Sequence, residues 1–199
     1  MSTSTTRRLI AAMQVTLDGR ILGPDGAVDW VDSWADGLQL LPPVDAFVLG
    51  GGMFAEYENF WTAMLHDTPA AAEMLGREPY PRELDYARVA AETPHLVLST
   101  TLTETSWPTA QVLRDIDELR AFRQEPGQAV YVVGGPGFLA SLIDADLLDE
   151  LHLIVHPVLA GDGPTLFSGI TRRERLELAA AEPMASGRVH LAYELTRGD

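Results

Sequence analysis

Gly134-Gly135-Pro136-Gly137 follows the apolar run Val130–Val133 and leads directly into a helical pattern of Phe138, Leu139, Leu142 and Ile143. A strand passing through such a turn into a helix gathers free backbone N–H groups and the positive end of a helix dipole at one point, which attracts a diphosphate. Glycine lacks a Cβ, so it permits positive φ and close approach of an anion to the backbone. Gly135-x-Gly137-x-x-Ala140 formally fits the dinucleotide fingerprint. It stands more than halfway along the chain, however, and the next strand ends in His156-Pro157 rather than in an acidic residue that would hold a ribose. A purely structural glycine turn is the alternative.

Two further segments have the same character. Gly50-Gly51-Gly52 follows the run Ala46–Leu49 and precedes Met53 and a helical pattern. Ser99-Thr100-Thr101 ends the run Leu96–Leu98 in hydroxyls that suit a phosphate or a backbone cap. Turns at the carboxyl ends of strands in one α/β sheet share an edge, where large ligands bind in this class. His152 and His156 share a strand face, with His190 on a candidate neighbour, but nothing else in the spacing supports a metal site, and none is expected. Trp30, Trp34, Trp61 and Trp107 suit core or pocket wall better than any specific stacking role.

The elements that must position these residues alternate. Leu9–Val15, Ala46–Leu49, Leu96–Leu98, Val130–Val133 and Leu151–Val155 read as buried parallel strands. Phe54, Tyr57, Trp61 and Met64 form one helical face, and Leu113, Ile116, Leu119 and Phe122 another. Beyond Pro157 the pattern predicts strand, the loop Gly161-Asp162-Gly163-Pro164, and two antiparallel strands around Leu176–Leu178 and Val189–Tyr193. Residues 67–83, with three prolines, read as a long loop. The expectation is an α/β single domain over residues 9–197 behind a flexible tail of residues 1–8.

Fourteen Arg plus Lys against 29 Asp plus Glu leave a formal charge of −15 in 199 residues. That balance opposes nucleic acid or an anionic membrane surface as partner. With no cysteine, disulfides, thiolate metal sites and a Cys nucleophile are excluded. No signal-peptide pattern or membrane-spanning window is evident, so a cytoplasmic location is expected.

The order of these pieces resembles the dihydrofolate reductase family, particularly the branch containing the reductase domain of bacterial riboflavin biosynthesis. The resemblance rests on Leu17-Asp18-Gly19-Arg20-Ile21, on Asp45–Gly50 with Phe54 and Trp61, and on His95–Leu102. It rests also on Gly134-Gly135 with Leu147–Leu151, and most specifically on Pro157–Phe167. It implies a mixed, mostly parallel sheet flanked by helices, with antiparallel C-terminal strands. NADPH would lie across the strand ends and pass a hydride to a small heterocyclic substrate, in a homodimer joined through the apolar C-terminal strands.

Carried over by position, Ala12, Ile21 and Gly23 fall near the nicotinamide. Gly50, Gly51, Gly52 and Met53 with Ser99, Thr100 and Thr101 would hold the adenosine half, and Val133, Gly134, Gly135, Pro136, Gly137 and Phe138 the diphosphate. The segment Trp30–Asp36 resembles the stretch that presents a carboxylate to the substrate, making Asp36 the candidate proton donor, with Asp29 and Asp32 as competitors. Family members commonly place arginines after the positions matching Gly50 and Ser99; Gly51 and Thr100 stand here, so selection of NADPH over NADH is open. Val133 replaces the Glu typical of the riboflavin enzymes. The alternative function is a nucleotide-binding module that keeps the cleft without efficient catalysis.

Overall fold

The computed structural model describes residues 6–196. Their order is β1 (Leu9–Thr16), β2 (Val44–Gly50), α1 (Gly51–His66), α2 (Thr68–Leu75), α3 (Pro81–Glu92), β3 (His95–Leu98), β4 (Ala110–Leu113), α4 (Ile116–Gln124), β5 (Ala129–Val133), α5 (Pro136–Asp144), β6 (Glu150–His156), β7 (Leu176–Pro183) and β8 (Val189–Leu195). One eight-stranded sheet runs β4-β3-β2-β5-β1-β6-β8-β7. From β4 to β6 every pairing is parallel; β8 joins β6, and β7 joins β8, antiparallel.

Alternation along each strand assigns side chains to two cores, as a period of two requires. Leu9, Ala11, Val48, Leu96, Val130 and Val132 face Leu119 of α4 and Leu139 and Leu142 of α5. Phe47, Leu49, Val97 and Tyr131 face Phe54, Tyr57 and Trp61 of α1 and Tyr86 of α3. The second layer is strongly aromatic: Trp61 stacks on Tyr86 with ring centroids 4.1 Å apart. His95 sits within it, donating from Nδ1 to the Thr93 carbonyl at 2.8 Å and accepting at Nε2 from the Tyr57 hydroxyl at 2.9 Å. Burial holds its pKa down at about 4, so it is neutral at physiological pH.

Three expectations are corrected. Residues 67–83 are not a loop: they contain α2 and the start of α3. Pro69 and Pro81 occupy first turns, where a missing N–H costs nothing, and Pro79 lies in the short connection between the two helices. Asp67 caps α2 by accepting from Ala70 N at 3.1 Å, and Glu83 accepts from Tyr80 N at 2.8 Å. Leu113 belongs to β4, a short strand absent from the sequence reading, because Asp115 accepts from Asp117 N at 2.8 Å and fixes the start of α4 at Ile116. Residues 157–160 are irregular, since Pro157 cannot donate to the ladder and β6 stops at His156.

Of the expected tail, residues 1–5 lie outside the described chain, while Arg7 is held in the body. Its guanidinium pairs with Asp45, donates to Pro126 O at 3.1 Å and lies over the Phe122 ring. Among the described residues, no helix is long and apolar enough to cross a membrane.

Candidate functional site

The tips of β2 and β5 are neighbours, and each passes directly into a helix. Phe138, in the first turn of α5, covers both tips: a Cβ on Gly50 would lie 2.9 Å from its ring, and one on Gly134 would lie 2.5 Å away. A Cβ on Gly51 would meet Ser99 at 2.4 Å, so the end of β3 is packed against the start of α1. These contacts weld three strand ends into one edge. The glycines expected to adopt positive φ do not do so; the residues with positive φ lie elsewhere, and the requirement here is close approach.

The same edge is open toward solvent. A Cβ on Gly52, Gly135 or Gly137 would meet nothing within 4 Å. No side chain caps α1 or α5 at its N-terminus. Pro136 carries no N–H, and Leu139 N is used by Gly135 O at 3.1 Å, so Gly137 and Phe138 supply the free donors of α5. Two uncapped helix N-termini therefore meet beside unfilled space, an arrangement that suits a diphosphate.

A cleft of about 770 Å³ adjoins this edge. Of the residues expected at a cofactor, Ala12, Ile21, Met53, Val133, Gly134 and Gly135 line it, whereas Gly50–Gly52, Ser99–Thr101 and Pro136–Phe138 lie outside its lining. Trp34 and Trp61, expected as core or pocket wall, also line it, together with residues the sequence did not single out for a site: Gln14 and Tyr131 on the sheet, Glu56, Tyr57, Asn59 and Phe60 on α1, and Met74. A signal existed for several of them. Tyr131 is two residues before Val133 and so shares its face, while Glu56 and Phe60 follow Met53 at helical spacing.

Neither Gly23 nor Asp36 lines the cleft. Gly23 is buried in a turn, donating to Ala27 O at 2.7 Å. Asp36 is buried, and both its oxygens are engaged: Oδ1 by Arg82 Nε at 2.8 Å and Oδ2 by Arg188 Nη1 at 2.6 Å. Asp29 and Asp32 line an adjacent cavity of about 670 Å³ instead. His156 also borders that cavity, donating from Nε2 to Gln14 Oε1 at 2.9 Å, whereas His152 and His190 bond to each other at 3.0 Å. Trp30 borders the same cavity, and Trp107 packs in the aromatic core.

The loop after β1 is fastened to the loop after β6. Asp18 accepts from Thr16 Oγ1 at 2.6 Å, Gly161 N at 2.9 Å and Ala160 N at 3.1 Å. The Thr16 hydroxyl and these backbone donors hold its pKa down at about 2. Arg20 donates to Gly163 O at 2.5 Å and Gly161 O at 3.1 Å. Gly163, at φ +114°, passes so close to Leu22 that a Cβ would lie 2.3 Å from the Leu22 carbonyl oxygen. The pairing of Leu17–Ile21 with Gly161–Pro164 thus fixes the wall carrying Ile21.

Arg114, at the end of β4, supplies a cation that the sequence did not reveal at this edge. Its Nη1 donates to Ser99 O at 3.0 Å and Leu102 O at 2.6 Å. Ser99 Oγ accepts from Leu102 N at 3.0 Å and Thr101 N at 3.3 Å, leaving its own O–H available.

Residues 7–190 match the model of the RibD C-terminal domain family. The chain belongs to that family. Uncharacterized protein YyaP of Bacillus subtilis strain 168 is 26% identical over 192 residues, covering 94% of each chain. Among solved structures, the chain resembles the diaminohydroxyphosphoribosylaminopyrimidine deaminase/5-amino-6-(5-phosphoribosylamino)uracil reductase of Thermotoga maritima, at TM-score 0.62 and 15% identity, covering 96% of this chain and 57% of that one. It also resembles dihydrofolate reductase from Enterococcus faecalis complexed with NADP(H), at TM-score 0.56 and 18% identity, covering 96% of this chain and 97% of that one. The fold is of the dihydrofolate reductase type, a mostly parallel mixed sheet with antiparallel C-terminal strands, and its fold relatives include reductases.

Proposed function

We propose that the protein is a nicotinamide-nucleotide-dependent reductase acting on a small heterocyclic substrate. The observation that carries this reading is the pair of uncapped helix N-termini after Gly50 and Gly135, where Gly52, Gly135 and Gly137 border open space beside the large cleft. Gly137 and Phe138 would donate to the diphosphate, and the Gly50–Met53 turn with Ser99–Thr101 would border the adenosine half. Ala12 and Ile21 would flank the nicotinamide. When bound, that ring supplies a hydride; the protein orients it and excludes water around it.

NADPH is the preferred form in this proposal, because Arg114 beside the Ser99 hydroxyl offers charge to a 2′-phosphate where the customary arginines are missing. Asp36 acts as the buried centre of a two-arginine clamp, not as a proton donor to the cleft. The protomers pair through β7, an edge strand whose Leu178 is 58% exposed and whose Leu176 is also exposed. A cytoplasmic location remains part of the proposal.

Thermal-shift titration with NADPH, NADH, NADP and ATP tests the binding half; failure of every nicotinamide form to stabilise the protein removes the reading. Loss of nicotinamide absorbance with a heterocyclic acceptor tests the redox half. The engagement of Asp36 favours a second reading, a nucleotide-binding module without efficient chemistry, which predicts saturable binding with no cofactor consumption.

A further inference from the structure

The chain contains no lysine, so all fourteen of its basic residues are arginines. None of them is among the described residues lining the large cleft, where Glu56 is the single acidic or basic side chain. The adjacent cavity does hold two arginines, but both are occupied. Arg77 is bound by Glu83, with Nη2 to Oε1 at 2.8 Å and Nη1 to Oε2 at 2.9 Å, and Arg188 by Asp36. With the helix N-termini taken by the cofactor diphosphate, a second phosphate on a molecule in this cleft would find a carboxylate and no free cation among the described lining residues.

The walls favour a flat, uncharged molecule. Trp34, Tyr57, Phe60 and Trp61 present aromatic surface to the cleft. Tyr131, on the central strand β5, is 4% exposed and borders the cleft. Its hydroxyl approaches Gly37, where a Cβ would lie 2.7 Å from it, and makes no hydrogen bond to another described residue. Burial raises its pKa, so it stays protonated and acts as a donor. At the cleft wall, the hydroxyl is placed to donate to an acceptor atom of a ligand there.

We infer that the cleft selects an uncharged planar heteroaromatic ring bearing no phosphate, and that Tyr131 donates a hydrogen bond to an acceptor atom of that ring. The inference rests on the reductase reading and narrows its substrate class. It sets this protein apart from an enzyme whose pyrimidine substrate carries a phosphoribosyl group.

The matched pair 5-amino-6-ribitylaminouracil and its 5′-phosphate tests it, titrated by calorimetry against the full chain saturated with NADP. The unphosphorylated compound is expected to bind at least tenfold more tightly. Tyr131→Phe is expected to weaken its binding by about tenfold, the equivalent of one neutral hydrogen bond, while NADP affinity stays within twofold of wild type. Equal or tighter binding of the phosphate ester, or binding of neither compound to the NADP-bound protein, overturns the inference. An unaltered affinity in Tyr131→Phe also overturns it, and the wild-type comparison stands even if that variant is unstable. Failure of NADP itself to bind would instead sink the reductase reading.

Discussion

Replacing Gly135 by Val places a branched side chain in the space between the two helix N-termini and leaves the fold in place. The backbone there has φ −83° and ψ −178°, which a β-branched residue adopts readily, and a Cβ would meet nothing within 4 Å. Stability should therefore change by no more than about 1 kcal/mol. A diphosphate would be pushed away from the N–H groups of Gly137 and Phe138. Losing two hydrogen bonds to a charged group, each worth roughly 1.5–3 kcal/mol, weakens nucleotide binding by about 10² to 10⁴. Urea denaturation reads the first quantity and calorimetric titration with NADPH the second. Gly134→Ala is the control, because its Cβ would lie 2.5 Å from Phe138 Cδ1. That overpacking should cost about 1–3 kcal/mol. A stable Gly135→Val protein with wild-type NADPH affinity would refute the placement of the diphosphate.

Arg114→Ala should raise the Kd for NADPH about tenfold and leave that for NADH within twofold, because the 2′-phosphate alone distinguishes the two; equal losses would remove Arg114 from selectivity. Asp36→Asn should destabilise the protein by about 3 kcal/mol in urea, since it leaves two part-buried guanidinium groups facing a neutral amide. A stable variant would contradict the clamp. His95 has a folded-state pKa of about 4 against 6.5 for the free side chain, so the unfolded chain takes up the proton first. Stability should fall as pH drops from about 6.5 to 4, by on the order of 3 kcal/mol. Replacement of His95 by Gln should flatten that part of the urea-midpoint profile; an unaltered slope would assign the effect to other groups.

Apart from β4 and the strand expected after Pro157, the strands and the principal turns are legible because their signals are local. Apolar runs ending in Gly50, Ser99 and Gly134 marked one sheet edge, and the edge exists. What misled was punctuation. Three prolines within residues 67–83 suggested a loop, yet proline is a first-turn residue as much as a breaker, and only the caps at Asp67 and Glu83 decide between these uses. Its place in the segment makes Asp36 a candidate, and sequence carries no sign that Arg82 and Arg188, 46 and 152 positions away, converge on it. Arg114 was hidden for the same reason, its tie to Ser99 being made across neighbouring strands. Tyr131 was within reach, because alternation from Val133 places it on the cleft face.

Diffraction from crystals soaked in NADPH tests the central claim most directly. The expected result is difference density for the diphosphate within hydrogen-bonding distance of the Gly137 and Phe138 N–H groups, with the nicotinamide between Ala12 and Ile21. Density for the nucleotide elsewhere on the protein, with this edge empty, would contradict the account.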